Sequence, residues 1–442
     1  MNGMTALPPR PGAPVPTGRL SRLARIGGMA AGVAGSMLLD GAKRFARGER
    51  PAVGDLLLTP ANARRVADRL AGMRGAAMKM GQLLSMDAGE LLPPELAEVM
   101  GRLRADADPM PARQLHRVLD AEWGVGWRDR FASWSDRPIA AASIGQVHRA
   151  RTRDGRDLAV KVQYPGVRDS IDGDIDNLAS LLRLSRVVPD TLDVAPLLAE
   201  AKRQLRDEAD YLLEAEHLSR FGTLLAGEPA FAVPAVQPDL TTPAVLAMSF
   251  VEGAPIETLT AASQGERDRV VASLVELTLR ELFEWGLVQT DPNFANFRYD
   301  LRSRRIALLD FGATRAISPE VVEAHRAVAR AALSGDREEA AGALLAARLF
   351  DPAAPPAYRG AVLDIFELVA AALRAGDPFD FGDNALSVSL RDRGMALAAE
   401  RKLYGLPPID TLFLQRKAGG MFLLASRLKA RVPVRAMLER HL

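Results

Sequence analysis

Apolar positions recur with helical spacing from Pro60 to about Val118: Ala61–Val66 opens one helix, and Leu70–Met86 predicts another with a methionine-rich face. Beyond Trp127 the period shortens to two. Alternating runs over Pro138–Ala141, Gln146–Thr152 and Asp157–Tyr164, the last two joined by a turn at Asp154-Gly155, predict a three-stranded meander. A long helical stretch follows over Val194–Phe221. Further strand-like runs lie at Phe231–Val236 and Ala244–Phe250. After Gly253 the pattern is helical again, broken only by strands near residues 290–310. The pattern predicts an α+β chain in which a small sheet-bearing lobe precedes a larger helical lobe. The expected divisions are 1–50, 51–126, 127–253 and 254–442, the second being a helical block ahead of the sheet.

Composition narrows the possibilities. The 442 residues are 48% hydrophobic and 25% charged, ordinary values for a folded protein with room for more than one core. A net charge of +2 argues against nucleic acid as a partner. With no cysteine, disulfides, thiolate metal sites and cysteine nucleophiles are excluded. Arginine outnumbers lysine several-fold, so each lysine is informative. The longest apolar run, Ile26–Leu39, is too short to span a bilayer, which needs ~20 residues. Its Gly28 and Gly32, and its basic flanks Arg19, Arg22, Arg25, Lys43, Arg44 and Arg47, suit either an interfacial helix or a helix covering part of the core. Pro8–Pro16 is proline-rich and expected to be disordered.

Chemistry enters with Asp291-Pro-Asn293-Phe-Ala-Asn296, followed fourteen residues on by Asp310-Phe311-Gly312. Phosphoryl transfer needs a carboxylate facing the attacking group, an amide five residues later on a metal, and a second carboxylate closing the metal site. Chance supplies either piece alone; their separation, with the apolar strand Ile306–Leu309 leading into Asp310, argues for a kinase-like site. Asp291 would then orient water or a hydroxyl, while Asn296 and Asp310 would hold Mg2+. The lysine that grips ATP or ADP phosphates is Lys161 of Leu158-Ala-Val-Lys161, on the third strand of the meander. The glycine-rich loop is altered. Its frame reads Ala140, Ala141, Ala142, Ser143, Ile144, Gly145, Gln146, Val147, so only the third glycine remains and close approach to the terminal phosphate is harder. A helix carboxylate should lock Lys161. Glu208, Asp210 and Glu214 compete, with Asp210 and Glu214 on one face at i, i+4. Met248, Ser249, Phe250 and Val251, leading to Gly253, suit a hinge against an adenine ring. The histidines are scattered and show no metal spacing.

The residues from about Arg74 to the C-terminus resemble the UbiB family of atypical kinase-like proteins, especially the branch of mitochondrial coenzyme Q kinase-like ATPases. The likeness rests on Lys79-Met-Gly81-Gln82, Ala140–His148, Val162–Val167, Glu208-Ala-Asp210, Thr290–Phe297, Ala307–Arg315, Pro378–Gly382 and the tail Arg416-Lys-Ala-Gly-Gly420. It implies a bilobal protein-kinase-like fold with an added helical K-x-G-Q extension packed over the active site, Lys79, Gly81 and Gln82 occupying the place of a peptide substrate. It implies that Lys79 contacts Glu208 and Asp210, which leaves Glu214 as the partner of Lys161. The alanine-rich loop is associated in the family with strong ADP binding and suppressed autophosphorylation.

The expectation is therefore an atypical kinase or ATPase that binds Mg-nucleotide and supports ubiquinone biosynthesis at a membrane, in which residues 161, 296 and 310 serve one nucleotide. Its expected partners are anionic membrane lipids, quinone-precursor-like lipids and ubiquinone-biosynthesis enzymes, with homodimerisation left open. Its expected location is peripheral, on the cytoplasmic side of a bacterial inner membrane or in the cytoplasm. A nucleotide-binding pseudokinase scaffold is the alternative; a protein or small-molecule kinase is a further one, disfavoured for peptides by the K-x-G-Q helix.

Overall fold

The computed structural model describes residues 109–142, 144–185, 195–399 and 408–442. The Lys79, Gly81 and Gln82 segment, Ser143 and the apolar run 26–39 lie outside them. The chain divides into two compact units. The first comprises the described residues up to Glu216 together with Ala235–Phe250; the second comprises His217–Pro234 and Val251–Leu442. The stretch 217–234, expected with the sheet-bearing lobe, thus belongs to the helical unit.

The first unit is built on one sheet. Its strands β1 (Phe131–Trp134), β3 (Gly145–Thr152), β4 (Asp157–Gln163) and β6 (Val245–Ser249) lie in the order β1-β3-β4-β6, with β2 (Ala140–Ala141) paired to β3. All neighbours are antiparallel. The β3–β4 turn places Gly155 at φ 94, a left-handed conformation that glycine adopts without a Cβ clash. The sequence pattern missed β1, whose Phe131 and Trp134 join Trp123 and Trp127 in an aromatic cluster; the Trp127 and Trp134 rings sit 4.8 Å apart. It also overstated the Pro138–Ala141 strand, because two exposed alanines bury too little to extend the ladder.

Helix α1 (Ala112–Trp123) lays Leu115, Leu119 and Trp123, spaced by four, into this core. Helices α2 (Val167–Ser185) and α3 (Ala195–Glu208) pack on each other. The predicted single helix over Val194–Phe221 is two, α3 and α4 (Tyr211–Leu224). Asp210 makes the break: its Oδ1 accepts from Leu212 N at 3.1 Å, and Tyr211 N turns to Pro243 O at 3.3 Å. Asp210 therefore precedes α4, and the expected Asp210–Glu214 shared helix face is not formed.

In the second unit α5 (Gln264–Phe283) is the central helix. Ser263 caps it by accepting from Glu266 N, and Val270, Val271, Leu274 and Leu277 are buried along it. Strands β5 (Phe231–Ala232), β10 (Arg305–Leu308), β9 (Phe297–Asp300) and β7 (Ala254–Pro255) form a sheet in that order, with β5 parallel to β10. Phe231–Val236, expected as one strand, is divided: its first two residues pair within this unit, while Val236 forms an isolated antiparallel bridge with Met248 of the first unit. A ribbon joins β8 (Leu287–Gln289) to β11 (Thr314–Ala316). The helical remainder comprises α6 (Pro319–Ser334), α7 (Arg337–Ala346), α8 (Pro356–Arg374), α9 (Asn384–Ala399), α10 (Ile409–Arg427) and α11 (Val434–His441). Within it β12 (Phe379–Asp380) pairs with β13 (Arg431–Val432), which gives the Pro378–Gly382 motif a structural role: Phe379 and Phe381 are buried. No helix among the described residues is long and apolar enough to cross a membrane.

One histidine is fixed neutral by its partners. His148 Nδ1 contacts the Ser135 carbonyl and its Nε2 contacts Gln146 Nε2, both at 2.8 Å, while Gln146 Oε1 is occupied by Met110 N. An Nδ1–H donated to Ser135 leaves Nε2 as the acceptor; a second proton would face the Gln146 amide. Burial pushes the His148 imidazole below its ordinary 6.5, and burial does the same at His325. The unfolded chain then takes up more protons on acidification, so stability is complete above about pH 6.5 and is lost as pH falls below it. Urea midpoints measured at pH 7.5 and 5.5 should show a fall in the wild type and a smaller one in His148→Gln.

Candidate active site

The alternation of β4 puts Leu158, Val160 and Val162 into the core and turns Lys161 to the opposite face. There its Nζ donates to both carboxylate oxygens of Glu214 at 2.8 Å, and the Tyr211 ring lies 5.1 Å away. The side chains are 8% and 2% exposed. A pair this dry persists only because each charge meets the other in good geometry. Of the remaining carboxylates, Glu208 is buried and accepts from Gln204 Nε2 at 3.5 Å, while Asp210 lies 3.3 Å from Arg168.

Beside this pair, Gly145 is held by crowding. A Cβ there would stand 2.5 Å from Val162 O and 2.7 Å from the Tyr211 hydroxyl oxygen, so this glycine serves the packing of β3 against β4 and α4. In the same loop the side chains of Ile144 and Gln146, expected at the nucleotide, are both buried, and Gln146 spends its amide on Met110 and His148. Period two explains it: Gln146 shares the core face of β3 with His148, whereas half-buried Val147 pairs with Lys161. Ala140 and Ala141 are exposed and Ala142 is half-buried. In the expected hinge, Met248 is buried within β6. Ser249 Oγ accepts from Ala235 N at 2.8 Å, and half-buried Phe250 carries the Arg149 guanidinium 4.0 Å above its ring. Val251 is half-buried and opens the second unit.

The second unit brings Asp291, Asn296 and Asp310 onto two loops joined by backbone hydrogen bonds. Thr290 N and Oγ1 both donate to Ala313 O, at 3.1 and 2.7 Å, and Leu309 N donates to Asn296 O at 3.0 Å. Gln289 Nε2 adds a bond to Asp310 O at 3.2 Å. Asn293 closes the turn by accepting from Ala295 N, and Asn296 Nδ2 donates to Asp291 Oδ2 at 3.4 Å. Asp310 Oδ1 accepts from Gly312 N at 3.0 Å, and buried Phe311 packs on Phe221, ring centroids 4.7 Å apart. A carboxylate and an amide oxygen are hard donors that fit Mg2+, which takes few protein ligands and completes its shell with water and phosphate. Among the described residues no group of three or more His, Asp or Glu could hold a metal by itself.

Sequence reasoning missed what braces these loops. Arg416 Nη2 lies 3.3 Å from Asp291 Oδ1, Lys417 Nζ donates to Gln289 O at 2.9 Å, and Gly420 sits against Pro292. The available signal was a basic pair interrupting the apolar face of α10.

A family model described as the ABC1 atypical kinase-like domain matches residues 102–344, more than half of the chain. The chain belongs to this family, the UbiB atypical kinases. Among its relatives, the mitochondrial atypical kinase COQ8B of Danio rerio is 38% identical over 96% of this chain and 68% of its own length. The mitochondrial atypical kinase COQ8 of Saccharomyces cerevisiae is 37% identical over 95% of this chain and 83% of its own. The solved complex of Rv3197 with erythromycin from Mycobacterium tuberculosis aligns with a TM-score of 0.61 at 27% identity, covering 86% of this chain and 95% of that one. The kinase-like α+β fold expected from the motifs is thereby established. The expected location is not. These atypical kinases are named as mitochondrial proteins of eukaryotes, which overturns a place on the cytoplasmic side of a bacterial inner membrane.

Within this atypical kinase the buried pair should respond as a unit. Lys161→Met or Glu214→Leu alone strands a charge and should cost about 3–5 kcal/mol, whereas the double variant should cost markedly less than the sum. Urea unfolding of the four proteins gives the coupling energy, and additive costs would show that the contact carries none.

Proposed function

We propose that this atypical kinase binds Mg-nucleotide and hydrolyses ATP in support of ubiquinone biosynthesis, acting on or beside lipid-like quinone precursors at a membrane. The observation that carries the reading is the stitched pair of loops in the second unit that presents Asp291, Asn296 and Asp310 together; the Lys161–Glu214 pair of the first unit supports it separately. Lys161, its ammonium oriented by Glu214, neutralises the α- and β-phosphates. Asn296 and Asp310 would hold Mg2+, which when bound neutralises charge on the β- and γ-phosphates. Asp291 orients the attacking oxygen, water or an acceptor hydroxyl, and accepts its proton. The relatives named COQ8 support the biosynthetic assignment.

Ala140 and Ala142, where phosphate-covering loops carry glycine, favour tight nucleotide binding over transfer to a protein. The proposed partners are anionic lipids, quinone-precursor-like lipids and enzymes of the same biosynthesis.

The test is ATP hydrolysis on liposomes with and without anionic lipid. Anionic lipid should raise turnover, and Asp310→Asn and Asp291→Asn should each lower it by about a hundredfold or more. Background turnover under all conditions, with MgADP still raising the melting temperature, would replace the enzyme by a nucleotide-binding scaffold.

A further inference from the structure

We propose that Arg416 is a positioning residue for Asp291, and that one turn of α10 is the seat on which the catalytic loop is held. The proposal rests on the role given to Asp291 above. Arg416 is 125 residues away in sequence, yet its Nη2 lies 3.3 Å from Asp291 Oδ1. The ion pair is dry: the side chains are 2% and 13% exposed. The other carboxylate oxygen, Oδ2, accepts from Asn296 Nδ2 at 3.4 Å. With a donor on each oxygen, rotation of the carboxylate about its Cβ–Cγ bond is restrained. A guanidinium suits this task because it is planar and always charged.

Two neighbours hold the backbone around that carboxylate. Lys417 Nζ donates to Gln289 O at 2.9 Å and lies 3.0 Å from Glu281 Oε2, which anchors α10 to α5. Gly420, one turn beyond Arg416, meets Pro292 so closely that a Cβ would stand 2.1 Å from Pro292 Cβ and 2.7 Å from its Cγ. Real Cβ atoms do not approach that near, so any side chain at 420 must move the loop or the helix. Residues 289, 291 and 292 are thus touched by Lys417, Arg416 and Gly420 in turn. The same helix also reaches the strand after Asp310-Phe-Gly: Arg315 pairs with Asp410 at 3.0 Å and lies 4.5 Å over the Phe413 ring. Arg416 does not need to touch nucleotide. It acts through Asp291.

Three variants separate positioning from simple support. Arg416→Met keeps volume and removes the charge, Arg416→Lys keeps the charge and loses the planar fork, and Gly420→Ala leaves Arg416 intact while displacing the loop. Arg416→Met should lower kcat by about ten- to a hundredfold while the KM for MgATP stays within about twofold. Arg416→Lys should recover part of that loss. Amide hydrogen exchange across residues 290–296 should quicken in Arg416→Met and Gly420→Ala, with α5 unchanged. A kcat for Arg416→Met within about twofold of wild type overturns the proposal. So does unchanged exchange in the loop. Should the wild type itself show no turnover, the enzymatic reading fails on its own, and exchange alone decides whether α10 positions Asp291. If Arg416→Met does not fold, Arg416→Lys and Gly420→Ala carry the same two readouts.

Discussion

A charge removed from water must be met by another, and this constraint organises both units. Lys161 with Glu214, Lys417 with Glu281 and Arg416 with Asp291 are three dry pairs among the described residues, and each ties elements distant in sequence. Replacing such pairs by packed apolar side chains is often neutral or stabilising in proteins, so their retention here is not explained by stability. Two of the three sit directly on the proposed phosphate-handling residues, and the third anchors the helix that reaches them. The pairs are better understood as devices that fix where a carboxylate or an ammonium stands than as a store of folding energy.

Loops carry the reactive groups, and rigid elements aim them. The loops on either side of the β9–β10 hairpin, 290–296 and 309–313, contain no strand, yet their backbone donors are spent on each other at Thr290, Asn296 and Leu309. The side chain of Asp291 is tied into this frame as well, its Oδ2 accepting from Asn296 Nδ2. Gly312 N on Asp310 Oδ1 likewise orients that carboxylate.

The chemistry was more legible in the chain than its support. Lys161 is legible because Leu158-Ala-Val-Lys161 falls on the third strand of the meander, and Asn296 and Asp310 because of their spacing from Asp291 and the apolar strand that leads into Asp310. Fold class followed from the switch between periods. Where reasoning failed, a side chain had been spent locally or a contact lay far off. Asp210 looked like one carboxylate on a long helix, but its oxygen serves Leu212 N and ends the helix it was assigned to. Gln146 and Ile144 lay in a ligand-like frame, yet parity along β3 and the fit under β4 put them in the core. Arg416 was quoted only as part of a matching tail, since nothing local links it to a loop more than a hundred residues earlier.

Gly145 in the first unit and Gly420 in the second show the same economy. Neither has a positive φ, so neither is glycine for the sake of its backbone conformation. Each marks a point where another part of the chain comes within the space of a methyl group: Val162 O and Tyr211 at the first, Pro292 at the second. Gly145 was read as the last survivor of a phosphate loop, and a substitution there would be expected to disturb ligand binding in either account. The packing account differs in where the disturbance begins. A side chain at 145 strikes Tyr211, the first residue of α4 and the ring beneath Lys161, so it reaches the ammonium through the helix that carries Glu214. Close approach thus couples the shape of the core to the placement of the charged groups, and glycine is the residue that permits it.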